Sequence, residues 1–252
     1  MLRTAAIVAA GLACSVGGFL IGSKSSSARG EDDKSSESNG KQVVTAVLRG
    51  PKTKTVHFIR HAEGTHNKAA REEGRVAYTR LEHMDARLTE EGRAQCRALK
   101  AQGHGLEKEV QLVVVSPLTR AIQTALLTIE RVPGVPWIAL ECTRERAGSH
   151  FCDKRRTVSE LKEEFPMIDW GCMEDEQDVY WDCLGEDREP DETLARRARE
   201  LFAWLSKRPE DNICVVTHSA FLSSLFNLAV QCGPGLSRWF ENCELRTALL
   251  EL

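Results

Sequence analysis

Arg60 and His61 stand side by side at the abrupt end of a mainly apolar run, Val56 to Ile59. An imidazole is a nitrogen nucleophile, and a guanidinium is a fixed cationic fork that matches the oxygens of a phosphoryl group. Together they suit attack on an anionic phosphorus centre. The pair alone is an ordinary surface dipeptide, so the rest of such a site has to come from elsewhere in the chain. Three residues have the required chemistry: Arg120 as a second cation, His218 as a second imidazole and Glu145 as a carboxyl group able to exchange a proton.

Each of these residues follows closely on a segment that could hold it. Val56 to Ile59 reads as a short buried strand, so Arg60 and His61 emerge at its carboxyl end, where open α/β sheets place their ligands. Val110 to Val115 is a second β-branched strand, broken by Ser116-Pro117, with Pro117 at the first helical position and the body of the helix following over 118–130; Arg120 lies in its first turn. Trp137 to Leu140 forms a third strand, with Glu145 a few residues on, and Ile213 to Thr217 a fourth, which delivers His218 and a helix to about Val230. Thr89 with Glu90 and Glu91 opens a helix to about Gln102. Pro190-Asp191-Glu192 opens another, in which Leu194, Ala198, Leu201, Phe202 and Leu205 keep a 3.6 period. Residues 244–252 can form a final strand. Strands alternating with helices predict an α/β fold, a three-layer α/β/α sandwich with a mostly parallel sheet. The segment 146–192 breaks the alternation and reads as an insertion over the sheet.

With these pieces in place the sequence resembles the histidine phosphatase superfamily, the phosphoglycerate-mutase-like enzymes, over residues 54–252. The resemblance rests on Phe58-Ile59-Arg60-His61-Ala62-Glu63-Gly64-Thr65-His66-Asn67, on Ser116-Pro117-Leu118-Thr119-Arg120-Ala121-Ile122-Gln123-Thr124-Ala125, on Arg144-Glu145-Arg146-Ala147-Gly148 and on Val215-Val216-Thr217-His218-Ser219. Cys152-Asp153-Lys154-Arg155 and Cys243-Glu244-Leu245-Arg246 look like the plant and fungal branch. The resemblance implies that His61 is the nucleophile and carries the phosphoryl group as phosphohistidine. It implies that Arg60, Asn67, Arg120 and His218 surround the phosphoryl oxygens, and that Glu145 is general acid and then general base. It implies no metal and no other cofactor.

Two departures from the family pattern stand out. Ala62 occupies the place of the Gly that usually follows the nucleophile, adding a methyl group that the backbone should tolerate. The stretch after Glu145 lacks the longer Tyr-Gly pattern of glycolytic mutases, which favours hydrolysis of a small phosphorylated metabolite. A phosphoglycerate mutase and a non-catalytic module that binds a phosphorylated ligand are the alternatives. A cationic pocket favours the charged form of a carboxyl group, so an acidic optimum is expected.

Other residues fit plainer roles. Glu141 is a competing acid but falls at the strand's end. His57, His66, His83, His104 and His150 read as structural, with His150 able to reach the pocket. Lys154 to Arg156 reads as a solvated face rather than a substrate clamp, and Trp170 and Trp181 as packing.

The formal net charge of −3 carries no basic excess of the kind that marks a nucleic-acid binder, and no nucleic-acid partner is expected. The nine cysteines have no CxxC pair or zinc-ligand spacing, and Cys96 and Cys214 read as buried thiols, favouring a reducing compartment. Residues 1–22 contain an uncharged run, Ala5 to Gly22, that fits a membrane anchor, a secretory signal or an organelle transit segment. Residues 23–53 read as a flexible linker and 54–252 as the catalytic domain. Oligomeric state is left open.

Overall fold

A run of β-branched and aromatic residues, Thr53–Arg60, makes the strand β2 that leads into the expected site. The computed structural model describes residues 7–8 and 53–252, apart from 105 and 231 and the side chains of Ile7, Val8 and Glu107. The other strands are β1 (Ile7–Val8), β3 (Leu112–Val115), β4 (Trp137–Ala139), β5 (Asn212–Thr217) and β6 (Leu245–Glu251). They form one sheet in the order β1-β6-β2-β5-β3-β4. The strands β2, β5, β3 and β4 run parallel, and β6 pairs antiparallel with β2 and β1.

Period-two alternation sends successive residues of each strand to opposite faces. Val113, Val115, Cys214 and Val216 join one core cluster, while Leu112, Val114, Ile213 and Val215 join the other. Both faces are therefore apolar, as a parallel sheet covered on both sides requires. The helix α2 (Glu90–Ala101) covers the first face with Cys96 and Leu99, and Thr89 caps it by accepting the Gly92 N–H at 3.0 Å. Beside it, α4 (Thr119–Thr128) buries Ala121, Ile122 and Ala125. The other face is covered by α7 (Asp191–Ser206), through Leu194, Ala198, Leu201 and Leu205, and by α8 (Ser219–Ser224), through Phe221 and Leu222. The architecture is the three-layer α/β/α sandwich with a mostly parallel sheet that the alternation predicts.

The remaining helices are α1 (Thr65–Glu73), α3 (Leu106–Glu109), α5 (Val158–Glu164), α6 (Val179–Leu184) and α9 (Pro234–Ser237). Two local details differ from expectation. Pro117 precedes the first turn of α4 instead of opening it, because Leu118 is still extended and occupies the cap position. After α8 the chain runs through a π turn, Leu225–Ala229, instead of one continuous helix to Val230. Of the expected N-terminal segment 1–22 only Ile7–Val8 is described, and most of the expected linker 23–53 lies outside the described residues. Among the described residues no helix is long and apolar enough to cross a membrane.

Candidate active site

Strand register brings the site together. Arg60 is paired with Thr217 across β2 and β5, and Val115 with Val216 across β3 and β5. The residues next in line, His61, His218 and Ser116, therefore emerge side by side at the carboxyl ends of these strands. The His61 N–H donates to Thr217 O at 2.8 Å and the Ser116 N–H to Val216 O at 3.0 Å, extending the ladder by one step. The rings of His61 and His218 lie 5.0 Å apart, centroid to centroid.

His61 is buried, and its Nδ1 lies 2.7 Å from its neighbour's carbonyl oxygen, Ala62 O. A carbonyl can only accept, so Nδ1 carries the hydrogen and the lone pair of the neutral ring sits on Nε2. Burial, and then the Arg120 and Arg60 guanidiniums, hold the His61 pKa well below that of a free imidazole. His218 is lowered in the same way by burial, Arg120 and His61. Its Nε2 lies 2.6 Å from Ser116 Oγ, and its Nδ1 has no partner.

The two arginines are held by backbone carbonyls. Arg60 Nη1 donates to Phe240 O at 2.7 Å, and Arg120 Nη1 donates to Cys152 O at 2.5 Å. Arg120 also pairs with Asp153 at 2.8 Å. Among the described residues Arg60 has no carboxylate within ion-pair distance. The Nε atoms of both arginines are buried without a partner, as is His66 Nδ1. Buried polar atoms without a partner are costly and uncommon in folded proteins, and with His218 Nδ1 four of the eight among the described residues cluster here.

Glu145 comes from the loop after β4 and reaches α8. Its Oε1 accepts the N–H groups of Arg146, Ala220 and Phe221 at 2.9, 3.1 and 3.2 Å, and its Oε2 accepts from Ser219 Oγ at 3.3 Å. The loop is built around buried arginines. Arg144 is fully buried, pairs with Asp178 through both Nη atoms, and donates to Asp153 O at 2.6 Å. Arg197 pairs with Glu189 and donates to the carbonyls of Cys142, Arg144 and Glu145. Gly148 ends the loop at φ +81°, where a Cβ would lie 1.9 Å from Asp187 O.

These groups line a cavity of about 360 Å³, formed by Arg60, His61, His66, Asn67, Arg75, Tyr78, Arg120, Glu145, His150, Cys152, Asp153, Arg188, Ser219, Ala220 and Trp239. Asn67, in the first turn of α1, uses its Oδ1 to accept the Gly64 N–H at 3.0 Å, which leaves its amide NH₂ for the cavity. His218 is fully buried beside His61 and is not itself among the lining residues. All six expected site residues thus meet in one place. Glu141 does not join them, since its carboxylate is taken by Arg144 and Arg155. Ala62 is buried in the core, is not at positive φ, and donates its N–H to Thr124 Oγ1, so its methyl group packs away from the cavity.

The sequence reading missed several neighbours. His66, read as structural, is buried against the site with its ring 5.7 Å from that of His61. Arg75, Tyr78, Asp153, Arg188 and Trp239 also line the cavity. The run Lys154 to Arg156 is neither a solvated face nor a clamp. Arg155 is buried on the carbonyls of Asp175, Glu176 and Gln177, Arg156 pairs with Asp85 and Glu164, and Lys154 pairs with Asp182. His150, Cys152 and Asp153 place three potential metal ligands within 4.8 Å of one another. Their chemistry fits a metal poorly. Asp153 is already shared by Arg120 and Arg188, and burial pushes the Cys152 thiol up, away from the thiolate form a metal needs.

Residues 56–251 match the sequence pattern of the histidine phosphatase superfamily, branch 1, and the chain belongs to that family. Among its relatives is phosphoglycerate mutase-like protein 1 of Arabidopsis thaliana, 34% identical over 231 residues, covering 78% of this chain and 81% of the relative. A second Arabidopsis thaliana phosphoglycerate mutase-like protein is also 34% identical over 231 residues, covering 78% and 84%. The alpha-ribazole phosphatase of Shigella flexneri shares the fold, with a TM-score of 0.51 at 20% identity over 77% of this chain and 89% of that one.

Proposed function

We infer that the protein is a phosphomonoesterase that hydrolyses a small phosphorylated metabolite through a phosphohistidine on His61. The observation that carries this reading is the convergence of two buried guanidiniums, one of them without a carboxylate partner among the described residues, on one nucleophilic nitrogen. Arg60, buried and without a carboxylate partner, and the orphaned Nε atoms of Arg60 and Arg120 need an anion, and His61 Nε2 holds its lone pair beside them. A dianionic phosphoryl group meets that need, with its oxygens on Arg60, Arg120, the Asn67 amide and the unpartnered nitrogen of His218. Ser116 donating its hydroxyl hydrogen to His218 Nε2 would place the ring's own hydrogen on Nδ1, as a donor to an equatorial oxygen.

In the first step the Nε2 lone pair attacks phosphorus, the ester P–O bond breaks, and Glu145 gives its proton to the departing alcohol oxygen. In the second, water attacks phosphorus, Glu145 takes a proton from it, the P–N bond breaks, and His61 and inorganic phosphate are restored. The two guanidiniums supply the charge that a metal provides in other phosphoryl-transfer sites, so the reaction should proceed without one. The cavity mouth is lined by exposed side chains, which gives water access to the phosphoenzyme and favours hydrolysis over transfer within one molecule.

Incubating the full chain with p-nitrophenyl phosphate in the presence of EDTA, between pH 5 and 7, tests this. Release of p-nitrophenol and inorganic phosphate is expected. No turnover across that range would contradict the reading.

A further inference from the structure

The cavity does not end at the phosphoryl donors. A second space of about 480 Å³ adjoins it, and Arg75, His150, Arg188, Ala220 and Trp239 line both. Three arginines surround this outer space, and two have their charge engaged. Arg188 pairs with Asp153 at 3.0 Å, and Arg146 pairs with Asp191. Arg75 is exposed and, among the described residues, has neither a carboxylate nor a hydrogen-bond partner.

Its placement is set by the turn that carries it. Residues Arg75–Thr79 form a 3₁₀ helix, in which positions three apart eclipse each other, so Arg75 and Tyr78 share a face. Tyr78 faces the cavity, with its ring 5.7 Å from His66 and 5.2 Å from His150. Ala77, fully buried, anchors the turn from the other side.

Another wall of the outer space is an indole. Trp239 is 52% exposed, the most exposed large aromatic side chain among the described residues. Its backbone is nevertheless firmly held. Arg246 donates to Trp239 O and Arg238 O at 2.7 Å each, and Arg60 donates to Phe240 O at 2.7 Å. A rigid backbone with an uncovered indole is a preformed surface for a flat ligand, and Leu228, 53% exposed, extends it.

We propose that the outer space is a second subsite for the alcohol portion of the substrate, which carries a flat body against Trp239 and a second anionic group, a carboxylate or a phosphate, on Arg75. The proposal rests on the phosphoryl-binding reading of the inner cavity and names its substrate class.

Non-hydrolysable ligands separate the two. The dissociation constants of benzylphosphonate, 4-carboxybenzylphosphonate and 4-(phosphonomethyl)benzylphosphonate are measured by calorimetry, alongside phosphate release from the matching aryl phosphates. The doubly anionic ligands should bind about tenfold more tightly than benzylphosphonate, and Arg75→Gln should abolish that preference. Arg75→Lys, which restores charge without the planar fork, should recover part of it. Trp239→Ala should weaken all three ligands about fivefold. The relative strengths of the carboxylate and phosphonate arms identify which anion the subsite takes. Equal affinity for all three ligands in the wild type, or a preference that survives Arg75→Gln, would overturn the subsite. Tight, Arg75-dependent binding with no phosphate release would overturn only the hydrolytic reading.

Discussion

The two halves of the cavity are built by different forces. On one side, Arg60, His61, Arg120 and His218 are delivered by strands and a helix start whose neighbours are packed apolar side chains on both faces of the sheet. On the other, the loop bearing Glu145 and the insertion above it are held by buried arginines on carboxylates and carbonyls: Arg144 on Asp178, Arg197 on Glu189, and Arg155 on three successive carbonyls. Apolar packing is more forgiving, since deleting one methyl group costs its transfer energy plus a small cavity, together about 1 kcal/mol. A buried ion pair is brittle, because removing one partner strands the other charge in a dry place. On the proposed reading, the sheet side provides the nucleophile and the anion cradle, and the insertion side holds the proton-transfer group and the outer walls through buried ion pairs.

Four perturbations sharpen this contrast, and the largest concerns the nucleophile. His61→Asn should lower kcat by more than about a thousandfold while leaving the urea midpoint close to wild type, because it removes the attacking nitrogen and keeps the shape. A loss of activity that follows a loss of folding would instead make His61 a structural residue.

Asp178→Ala should destabilise the fold by about 2–3 kcal/mol, because the fully buried Arg144 guanidinium would lose the carboxylate that both its Nη atoms grip and keep only the partly exposed carboxylate of Glu141 at 2.8 Å. The comparison fails if chemical denaturation finds a cost of less than about 1 kcal/mol, the range of an exposed pair.

Acid should act next. His61, His66 and His218 all have pKa values held well below the ordinary imidazole value, in each case chiefly by burial. Below about pH 6.5 the unfolded chain takes up protons at these rings while the folded chain does not, so stability falls as pH falls. Each ring contributes up to about 1.4 kcal/mol per pH unit. The same depression keeps His61 neutral in mild acid, so the acid limb of kcat/KM should lie below the pH at which a free imidazole protonates. Stability that is flat from pH 7 to 5 in thermal melts would argue against buried neutral rings.

The smallest effect belongs to the sheet. Ile213→Val removes one methylene from a fully buried position and should cost about 1 kcal/mol without altering KM. A change in KM would mean that the sheet side is as brittle as the insertion.

The same division explains what could be read from the residues alone. The strand ends were legible because β-branched runs such as Leu112–Val115 and Asn212–Thr217 stop abruptly at polar, chemistry-bearing residues. The helix α1 was not, because Thr65–Glu73 is polar, has no apolar stripe, and buries only His66 and Ala69. Nor was the order within the insertion. Arg144 and Asp178 are 34 residues apart in the chain, and nothing in their spacing announces a pair. Carbonyl acceptors leave no trace in the residue types, so Arg155 looked like part of a solvated patch. His66 could have been found, since it lies one turn into the segment that already held Arg60, His61 and Asn67. Trp239, in a loop, and Arg75, at the start of a 3₁₀ turn, are far apart in the chain, and only the fold brings them to one mouth.

The central claim is a covalent bond between phosphorus and one nitrogen. Rapid mixing of the protein with ³²P-labelled phenyl phosphate, followed by an alkaline quench and peptide mapping, tests it directly, since phosphohistidine survives base and is lost in acid. The account predicts a base-stable, acid-labile label on the peptide containing His61, absent from His61→Asn. A label on any other residue, or turnover with no labelled protein at the earliest times, would contradict it.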